Sequence, residues 1–343
     1  MSAAGGRADR SLVATLGDYD VNRDPAAASS SAPFKQWIHM TVWDPAIALV
    51  VNFSALHGKG AAQHRMTAIV YSDRGVAGHV RRIPSHECRM PPGRATVVFG
   101  SNCTRRFGAD YELQVYEPAL DLRVSLTLRA ATQASTMQGV RVAGDSRLAW
   151  TVVPRLLASG TIQYDGRVHA LARAPAYRDR NWGGFEFGEL SWDWGYATEG
   201  GGGDRTVVFT RLLDRVRDRV LGQDVLVWSR QHLAAVFRDR EVAFGARGRL
   251  KGPVETVPPA LALCGPGEAT DAPDGLDVAA RSSRGRLRIA FDRRATARIL
   301  VPNDARVGVS SIYEGLGWCS VTGDVEGDRV EFTGHGFLES LHA

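Results

Sequence analysis

The side chains best suited to chemistry lie close together near the middle of the chain, between Tyr177 and Trp194. Alternate residues of a β-strand point to the same face, so Tyr177, Asp179 and Asn181 would share one face. That face would carry a phenol, a carboxyl group and an amide in a row. In an apolar cavity, burial keeps a carboxyl group protonated at neutral pH, so it can donate a proton. The pattern predicts an acid, Asp179, that Tyr177 and Asn181 orient.

Strict alternation turns the intervening residues away from this patch: Arg178, Arg180 and Trp182. Trp182 would join the patch only if Gly183-Gly184 kinks the strand. Trp192 and Trp194 share a face of the next segment and could roof the patch, where indole rings would stabilise a cation. A second interpretation is that the tryptophans are core residues and Asp179 pairs with an arginine at the surface.

A hairpin near the start of the chain supplies two further candidates. The β-rich runs within residues 35–54 flank Asp44-Pro45, which is a turn signal. Trp37 and His39 fall on one face of the first strand. His39 could therefore face a cavity, although a hydrogen-bonded core histidine fits the same pattern.

Composition indicates a globular protein that does not bind nucleic acid. The 343 residues are 44% hydrophobic and 23% charged, which is enough material for two cores. The net charge of +5 is carried mainly by scattered arginines, and they form no basic stripe with interleaved aromatic residues. Cys88, Cys103, Cys264 and Cys319 form no C-x-x-C pair. We therefore expect no metal and no cofactor.

Turn signals separate many short β-patterned runs, with little helical periodicity between them. Residues 122–128 alternate cleanly between apolar and polar side chains. This arrangement predicts antiparallel sheets that close into a barrel or sandwich. Residues 1–32 are rich in Ala, Ser, Gly and Asp and are expected to be a disordered leader. Because no apolar run approaches about 20 residues, we expect a cytoplasmic protein.

An internal repeat suggests two units of similar plan. Residues 160–179 and 323–339 both contain a glycine, a short strand, an Asp-containing turn, Arg-Val and a second strand. Each ends in an aromatic–x–acid sequence, Tyr177-Arg178-Asp179 in one and Phe337-Leu338-Glu339 in the other. A repeat of this span indicates one supersecondary unit used twice. We place one domain at residues 33–205 and a second at 206–343.

The run Tyr177-Arg178-Asp179-Arg180-Asn181-Trp182-Gly183, followed by Trp192-x-Trp194, resembles the signature of the carotenoid 1,2-hydratase (hydroxyneurosporene synthase) family. Tyr313-Glu314-Gly315, Gly334 to Glu339, Val153-Pro154-Arg155 and Trp37 add weaker similarity. The resemblance implies an all-β fold of two tandem lipocalin-like antiparallel β-barrels. It also favours a strand–turn–strand over a short amphipathic helix for residues 210–222. Arg180 stands where the family has a histidine, and Phe209 and Arg211 stand near its later tyrosine and acid.

The resemblance implies acid-assisted hydration of a C=C bond in a carotenoid-like or other isoprenoid substrate. The acid and its partners would be Asp179, Tyr177 and Asn181, in an apolar hollow of the double barrel. The residues predicted to contact substrate are Trp37, His39, Arg180, Trp182, Trp192 and Trp194. The expected partner is a hydrophobic small molecule, and peripheral membrane association would give access to it. A cyclase or isomerase of the same superfamily and a non-catalytic carrier of a lipophilic ligand are the alternatives.

Overall fold

The computed structural model describes residues 20–27, 32–58, 62–142, 144–247, 267–268, 273–302 and 309–342. The described chain is almost entirely β-structure, with single turns of 3-10 helix between some strands. These turns are Pro25–Ala27, Ser85–Glu87, Pro118–Leu120, Phe187–Glu189 and Asp239–Glu241. None of the helices in this part of the chain has the length and hydropathy to cross a bilayer.

The first sheet contains twelve strands. They are β1 (Phe34–Asp44), β2 (Ile47–His57), β3 (Gln63–Ser72), β4 (Gly75–Ile83), β5 (Cys88–Arg89), β6 (Thr96–Phe99), β7 (Asn102–Phe107), β8 (Asp110–Glu117), β9 (Leu122–Ala130), β10 (Ser135–Arg141), β11 (Arg147–Tyr164) and β12 (Arg167–Gly184). Their order is β4-β3-β2-β1-β12-β11-β9-β8-β7-β6-β5, and β10 pairs with β11. All of these pairs are antiparallel.

The second sheet contains ten strands. They are β13 (Leu190–Glu199), β14 (Thr206–Asp214), β15 (Val220–Ser229), β16 (His232–Arg238), β17 (Val242–Arg247), β18 (Gly267–Glu268), β19 (Gly275–Ser282), β20 (Gly285–Pro302), β21 (Val309–Val325) and β22 (Asp328–His342). Their order is β16-β15-β14-β13-β22-β21-β20-β19-β17, and β18 pairs with β20. The predicted fold of two tandem lipocalin-like antiparallel barrels is confirmed.

The two sheets repeat one plan, which accounts for the internal sequence repeat. In each sheet a long last strand lies between the first strand and the preceding long strand: β12 between β1 and β11, and β22 between β13 and β21. The repeated segments form the turn and second strand of the β11–β12 and β21–β22 hairpins. Asp179 and Glu339 therefore occupy corresponding positions on β12 and β22.

Residues 210–222 form the predicted strand–turn–strand. Strands β14 and β15 pair across a turn in which Arg217 has a φ of 62°. Strand β14 pairs with β13 on one side and β15 on the other, and its Val208, Phe209 and Leu212 are buried in the apolar clusters of the molecule. Tertiary pairing therefore overrides the helix-like spacing of the leucines and valines.

The change from the first sheet to the second occurs earlier than the predicted domain division near residue 205. Strand β12 ends at Gly184, and β13, which begins at Leu190, already pairs with β14 and β22. The residues of β13 thus belong to the second sheet, whereas the prediction placed them in the first domain. The division of the chain into independent domains stays a prediction.

Residues 20–27 do not behave as the predicted disordered leader. Asp20 and Asn22 are buried, and the Asn22 amide donates to the carbonyl groups of Pro91 and Thr96. This segment is held against the interior of the first barrel by polar contacts that composition alone does not reveal. Residues 1–19 and 28–31 of the proposed leader lie outside the described residues.

Three apolar clusters organise the molecule. One fills the first barrel and includes Ile38, Met40, Phe53, Phe99, Leu126 and Val153. Another fills the second barrel and includes Phe209, Val225, Phe237, Ile289, Phe291 and Val321. The third lies between the two sheets and includes Trp150, Tyr177, Trp192, Trp194, Trp228 and Phe337. The candidate site belongs to this third cluster.

Candidate functional site

The site lies where the outer face of β1 and β12 meets the face of β13, β21 and β22. Across β1 and β12, His39 is paired with Asp179. Across the second sheet, Glu339 is paired with Trp194 on one side and Glu314 on the other. Paired residues of neighbouring strands project to the same face. The two sheets thus bring Asp179 and Glu339 to one chamber, although 160 residues separate them in the chain.

The predicted hollow is therefore found between the barrels and not inside one of them. The interior of the first barrel is filled by the protein's own side chains, most of them apolar. As alternation predicted, Tyr177, Asp179 and Asn181 share one face of β12, and that face lines the chamber. Sequence alternation separates the two faces of a strand, but it does not say which face the barrel encloses.

The Asp179 carboxyl group is buried and favours its neutral form. Its Oδ1 accepts a hydrogen bond from Asn181 Nδ2 at 2.6 Å. Burial raises the pKa of Asp179 to about 8, with Glu339 adding to the rise, while Tyr177, Asn181 and Arg178 oppose it. A largely protonated carboxyl group at neutral pH is the state that a general acid needs.

Two further carboxyl groups stand beside Asp179, so it is not the lone acid that the sequence suggested. Glu314 and Glu339 are cross-strand partners and share a side-chain hydrogen bond. Burial, followed by the charge of Glu339, raises the pKa of Glu314 well above its usual range, and burial raises the pKa of Glu339 as well. Trp192 Nε1 donates to Glu339 Oε1, which fixes this carboxyl group at the chamber wall.

His39 lies opposite Asp179 and is neutral. Burial lowers its pKa to about 3, so the 3.7 Å approach of its Nδ1 to Glu339 Oε2 is not an ion pair near neutral pH. That nitrogen has no hydrogen-bond partner among the described residues. A neutral imidazole beside two carboxyl groups provides a polar contact for a small polar molecule without adding charge.

Aromatic rings form the remaining walls. Trp37 and Trp192 stack with centroids 6.2 Å apart, and Trp150 meets Trp194 edge-on at 5.3 Å. Trp194 Nε1 donates to Tyr177 Oη at 2.7 Å, and that ring stacks on Tyr196 at 4.2 Å. The aromatic faces exclude water and would stabilise positive charge that develops on a ligand.

The space between the sheets has a narrow inner chamber and a wider outer cavity. The inner chamber, about 20 Å³, is lined by Asp179, Asn181, His39, Glu339 and the aromatic walls, and it offers room for about one water molecule. The outer cavity, about 120 Å³, shares Trp37, Trp192 and Glu339 with it. The lining of the outer cavity also includes Leu56, Arg65, Val80, Arg82, Phe187, Ile299 and Glu314.

Two of the predicted substrate-binding residues lie elsewhere. Arg180 points into the first barrel, where its Nε donates to Asp20 Oδ1 at 3.0 Å. Trp182 stacks under the Arg23 guanidinium at 4.4 Å on the same side. Pairing of β12 with β1 continues in register through Gly183 and Gly184, so the kink that would bring Trp182 to the chamber is absent from this pair. All the other predicted site residues line the chamber.

One group of metal-binding type is present in the described part of the chain. His39, Glu314 and Glu339 each offer an atom within 4.8 Å of the others. The two carboxyl groups are hydrogen-bonded to each other, and burial raises the pKa of each. The expectation that the protein needs no metal stays a prediction.

Glu314 and Glu339 were not among the predicted site residues. The internal repeat held the signal for Glu339, because it aligns this residue with Asp179. Glu314 lies in the Tyr313-Glu314-Gly315 run that carried part of the family resemblance. Asp20, which contacts the arginines on either side of Asp179, gave no sequence signal.

No protein-family model and no curated protein matches the chain. Solved structures do share its fold. A putative AttH from Nitrosomonas europaea has a TM-score of 0.57 at 14% identity, covering 95% of this chain and 98% of its own. Kievitone hydratase from Nectria haematococca has a TM-score of 0.56 at 13% identity, with the same coverage. CghA in complex with Sch210972 has a TM-score of 0.59 at 14% identity, covering 97% and 98%.

These similarities extend over nearly the whole of both chains. At such low identity they establish the fold alone.

Proposed function

We propose that the protein is an enzyme that adds water to a C=C bond of an apolar small molecule, with Asp179 as the acid. One observation carries the proposal: the Asp179 carboxyl group is 3% exposed, has a pKa of about 8 and lies among indole rings. Protonation of an unactivated alkene needs a neutral acid close to the double bond and a wall that tolerates a cation.

In the proposed reaction, the Asp179 O–H transfers its proton to one alkene carbon while the π-bond breaks. The tertiary cation on the other carbon is stabilised by the faces of Trp192 and Trp194, by about 2 kcal/mol each in a dry site. A water molecule in the inner chamber forms the new C–O bond and passes a proton back to the carboxylate. His39 and Glu339 are placed to hold that water by hydrogen bonds.

The cavity favours a substrate that inserts one end. The inner chamber admits little more than water, and the outer cavity of about 120 Å³ is smaller than a whole long polyene requires. In the proposed complex, the terminal isoprenoid unit of a carotenoid-like or related molecule occupies the outer cavity with its double bond directed towards Asp179, and the rest of the chain leaves between the sheets. Transient contact with a membrane surface would deliver such a substrate.

The similarity to kievitone hydratase supports a hydratase, because that protein is named for this type of reaction. The similarity to CghA bound to Sch210972 supports an alternative, a cyclase or isomerase that binds a natural product. An enclosed cavity with polar groups at one end could fold a polyene by shape and hydrogen bonding. A carrier is the remaining alternative, and turnover separates it from both enzymes.

Incubation with acyclic carotenoids, followed by mass spectrometry and chromatography, tests the proposal. Hydration adds one water to the mass, whereas a cyclase or isomerase changes retention at constant mass. Asp179→Asn should abolish product formation while leaving folding and ligand binding intact. Turnover by the wild type should fall as pH rises through about 8, because Asp179 then loses its proton. Full turnover by the Asn variant would rule out Asp179 as the acid.

A further inference from the structure

The two arginines that flank Asp179 in sequence share one buried carboxylate inside the first barrel. Asp20 Oδ1 accepts from Arg178 Nη1 at 2.7 Å and from Arg180 Nε at 3.0 Å. Asp20 Oδ2 accepts from Tyr111 Oη at 2.8 Å. Asp20, Arg178 and Arg180 are all completely buried. A buried carboxylate with this many donors is held firmly in its ionised form, and the charge of both arginines keeps the pKa of Asp20 low.

The segment that carries Asp20 is fixed independently of that carboxylate. Asn22 Oδ1 accepts from Arg180 Nη1 at 2.7 Å, and the Asn22 backbone N–H donates to the Arg94 carbonyl at 2.8 Å. Gln36 accepts from the backbone N–H of Arg23 and donates back to its carbonyl. The segment thus covers the buried arginines inside the first barrel, where Asp20 and Asn22 accept their hydrogen bonds.

This cluster lies behind Asp179, on the opposite face of β12. Arg178 and Arg180 are its chain neighbours, and the charge of Arg178 is one of the influences that lower the pKa of Asp179. From the chamber side, Asp179 faces Glu339 on β22, Glu314 on β21, the neutral His39 on β1 and Tyr177 on its own strand. Among these described neighbours of Asp179, the positive charge lies on the arginine side.

We propose that Asp20 is a positioning residue for Asp179: by offsetting the charge of Arg178 and Arg180, it allows the candidate acid to hold its proton. This inference rests on the proposed function, in which Asp179 acts in its neutral form. Strand alternation moves the two guanidinium groups to the far face, and Asp20 then cancels part of their field. Without Asp20, the two buried guanidinium groups behind Asp179 would lose the carboxylate that they share.

Titration of Asp179 tests the proposal without any substrate. In protein labelled with ¹³C at the aspartate carboxyl groups, the Asp179 signal is identified by its loss in Asp179→Asn. The wild-type midpoint is expected near pH 8. Asp20→Asn should lower it by about one unit, and Arg180→Met should raise it by a similar amount. The double variant has the wild-type net charge and should return close to the wild-type midpoint.

One further variant, Tyr111→Phe, and a fallback keep the test decisive. Tyr111→Phe removes a hydrogen bond to Asp20 but no charge, and it should leave the Asp179 midpoint unchanged. If Asp20→Asn does not fold, Arg180→Met carries the test alone, because Asp20 then keeps its ion pair with Arg178 and no buried charge is left without a partner. Identical midpoints in wild type and Arg180→Met would overturn the proposal, as would a Tyr111→Phe shift as large as that of Asp20→Asn.

The two proposals fail in different ways. A shifted Asp179 midpoint in a protein that hydrates no carotenoid would contradict the proposed function and leave the role of Asp20 standing. Hydration at the wild-type pH optimum by Asp20→Asn, with an unshifted midpoint, would contradict the role of Asp20 alone.

Discussion

At the scale of single residues, the site concentrates acids in an apolar setting. Asp179 and Glu314 are buried and Glu339 is 13% exposed, and desolvation raises the pKa of each. Such an arrangement has a cost in stability, because each group must keep or gain a proton that it would lose in the unfolded chain. The burial that causes this cost also keeps Asp179 neutral at a pH where an exposed aspartate is ionised.

This cost predicts how Asp179→Asn changes stability with pH. The pKa of Asp179 rises from 3.8 in the unfolded chain to about 8 in the folded protein. The destabilising contribution is therefore absent below about pH 4, grows between pH 4 and 8, and is complete above pH 8. The stability of the Asn variant relative to wild type should increase by up to about 1.4 kcal/mol per pH unit across that window.

Urea unfolding of both proteins at several values between pH 5 and 8 measures this slope. The matched control is Asp73→Asn, which removes a carboxyl group that is 70% exposed at the protein surface. A stability difference for Asp179→Asn that does not vary with pH would show that the carboxyl group is ionised in the folded protein.

At the scale of elements, β12 is the strand on which the site depends. One face presents Tyr177, Asp179 and Asn181 to the chamber, and the other presents Arg178 and Arg180 to Asp20. Its end passes close to β11, where a Cβ on Gly183 would meet the carbonyl oxygen of Arg147. Glycine is needed there for the close approach of two backbones.

Gly183→Ala should therefore lower the free energy of unfolding by about 3 kcal/mol, because the β11–β12 pair must separate to make room. Gly245→Ala is the control, since Gly245 also lies in a strand but a Cβ there would meet nothing within 4 Å. Its effect should stay within about 0.5 kcal/mol. Equal effects of the two substitutions in chemical denaturation would contradict the packing explanation.

At the scale of the whole molecule, the cavity exists because the two barrels share an apolar cluster. Trp228 of β15 is completely buried in it, and its Nε1 donates to the carbonyl of Gln133 at 3.1 Å. Tyr71 of β3 donates similarly to the backbone carbonyl of Glu314 at 2.7 Å. These contacts join the two sheets at residues distant in the chain.

Trp228→Ala should lower the free energy of unfolding by about 3–5 kcal/mol and weaken both barrels together. Because the cluster is shared, tryptophan fluorescence and far-UV circular dichroism should still report one coincident transition. Trp318→Ala, at a side chain that is 44% exposed, should cost far less. Two separate transitions in the wild type would show that the barrels are stable independently.

The sequence by itself determined the all-β architecture, the internal repeat and the two faces of β12. These are local properties: strand alternation has a period of two, and a repeat is visible in the order of residues. Resemblance in the Tyr177–Gly183 run added the tandem barrels and the strand–turn–strand at residues 210–222. That Tyr177, Asp179 and Asn181 share one face of the strand follows from the same periodicity.

Only the tertiary structure decided on which side of β12 the cavity lies and which residues complete it. Alternation distinguishes two faces but cannot tell the barrel interior from the surface that packs against a second barrel. The chain contains no local signal for contacts such as Asp20 with Arg178, which are 158 residues apart. Such contacts arise because folding brings distant segments together. A single aspartate in a polar segment belongs to no sequence pattern from which its partner could be predicted.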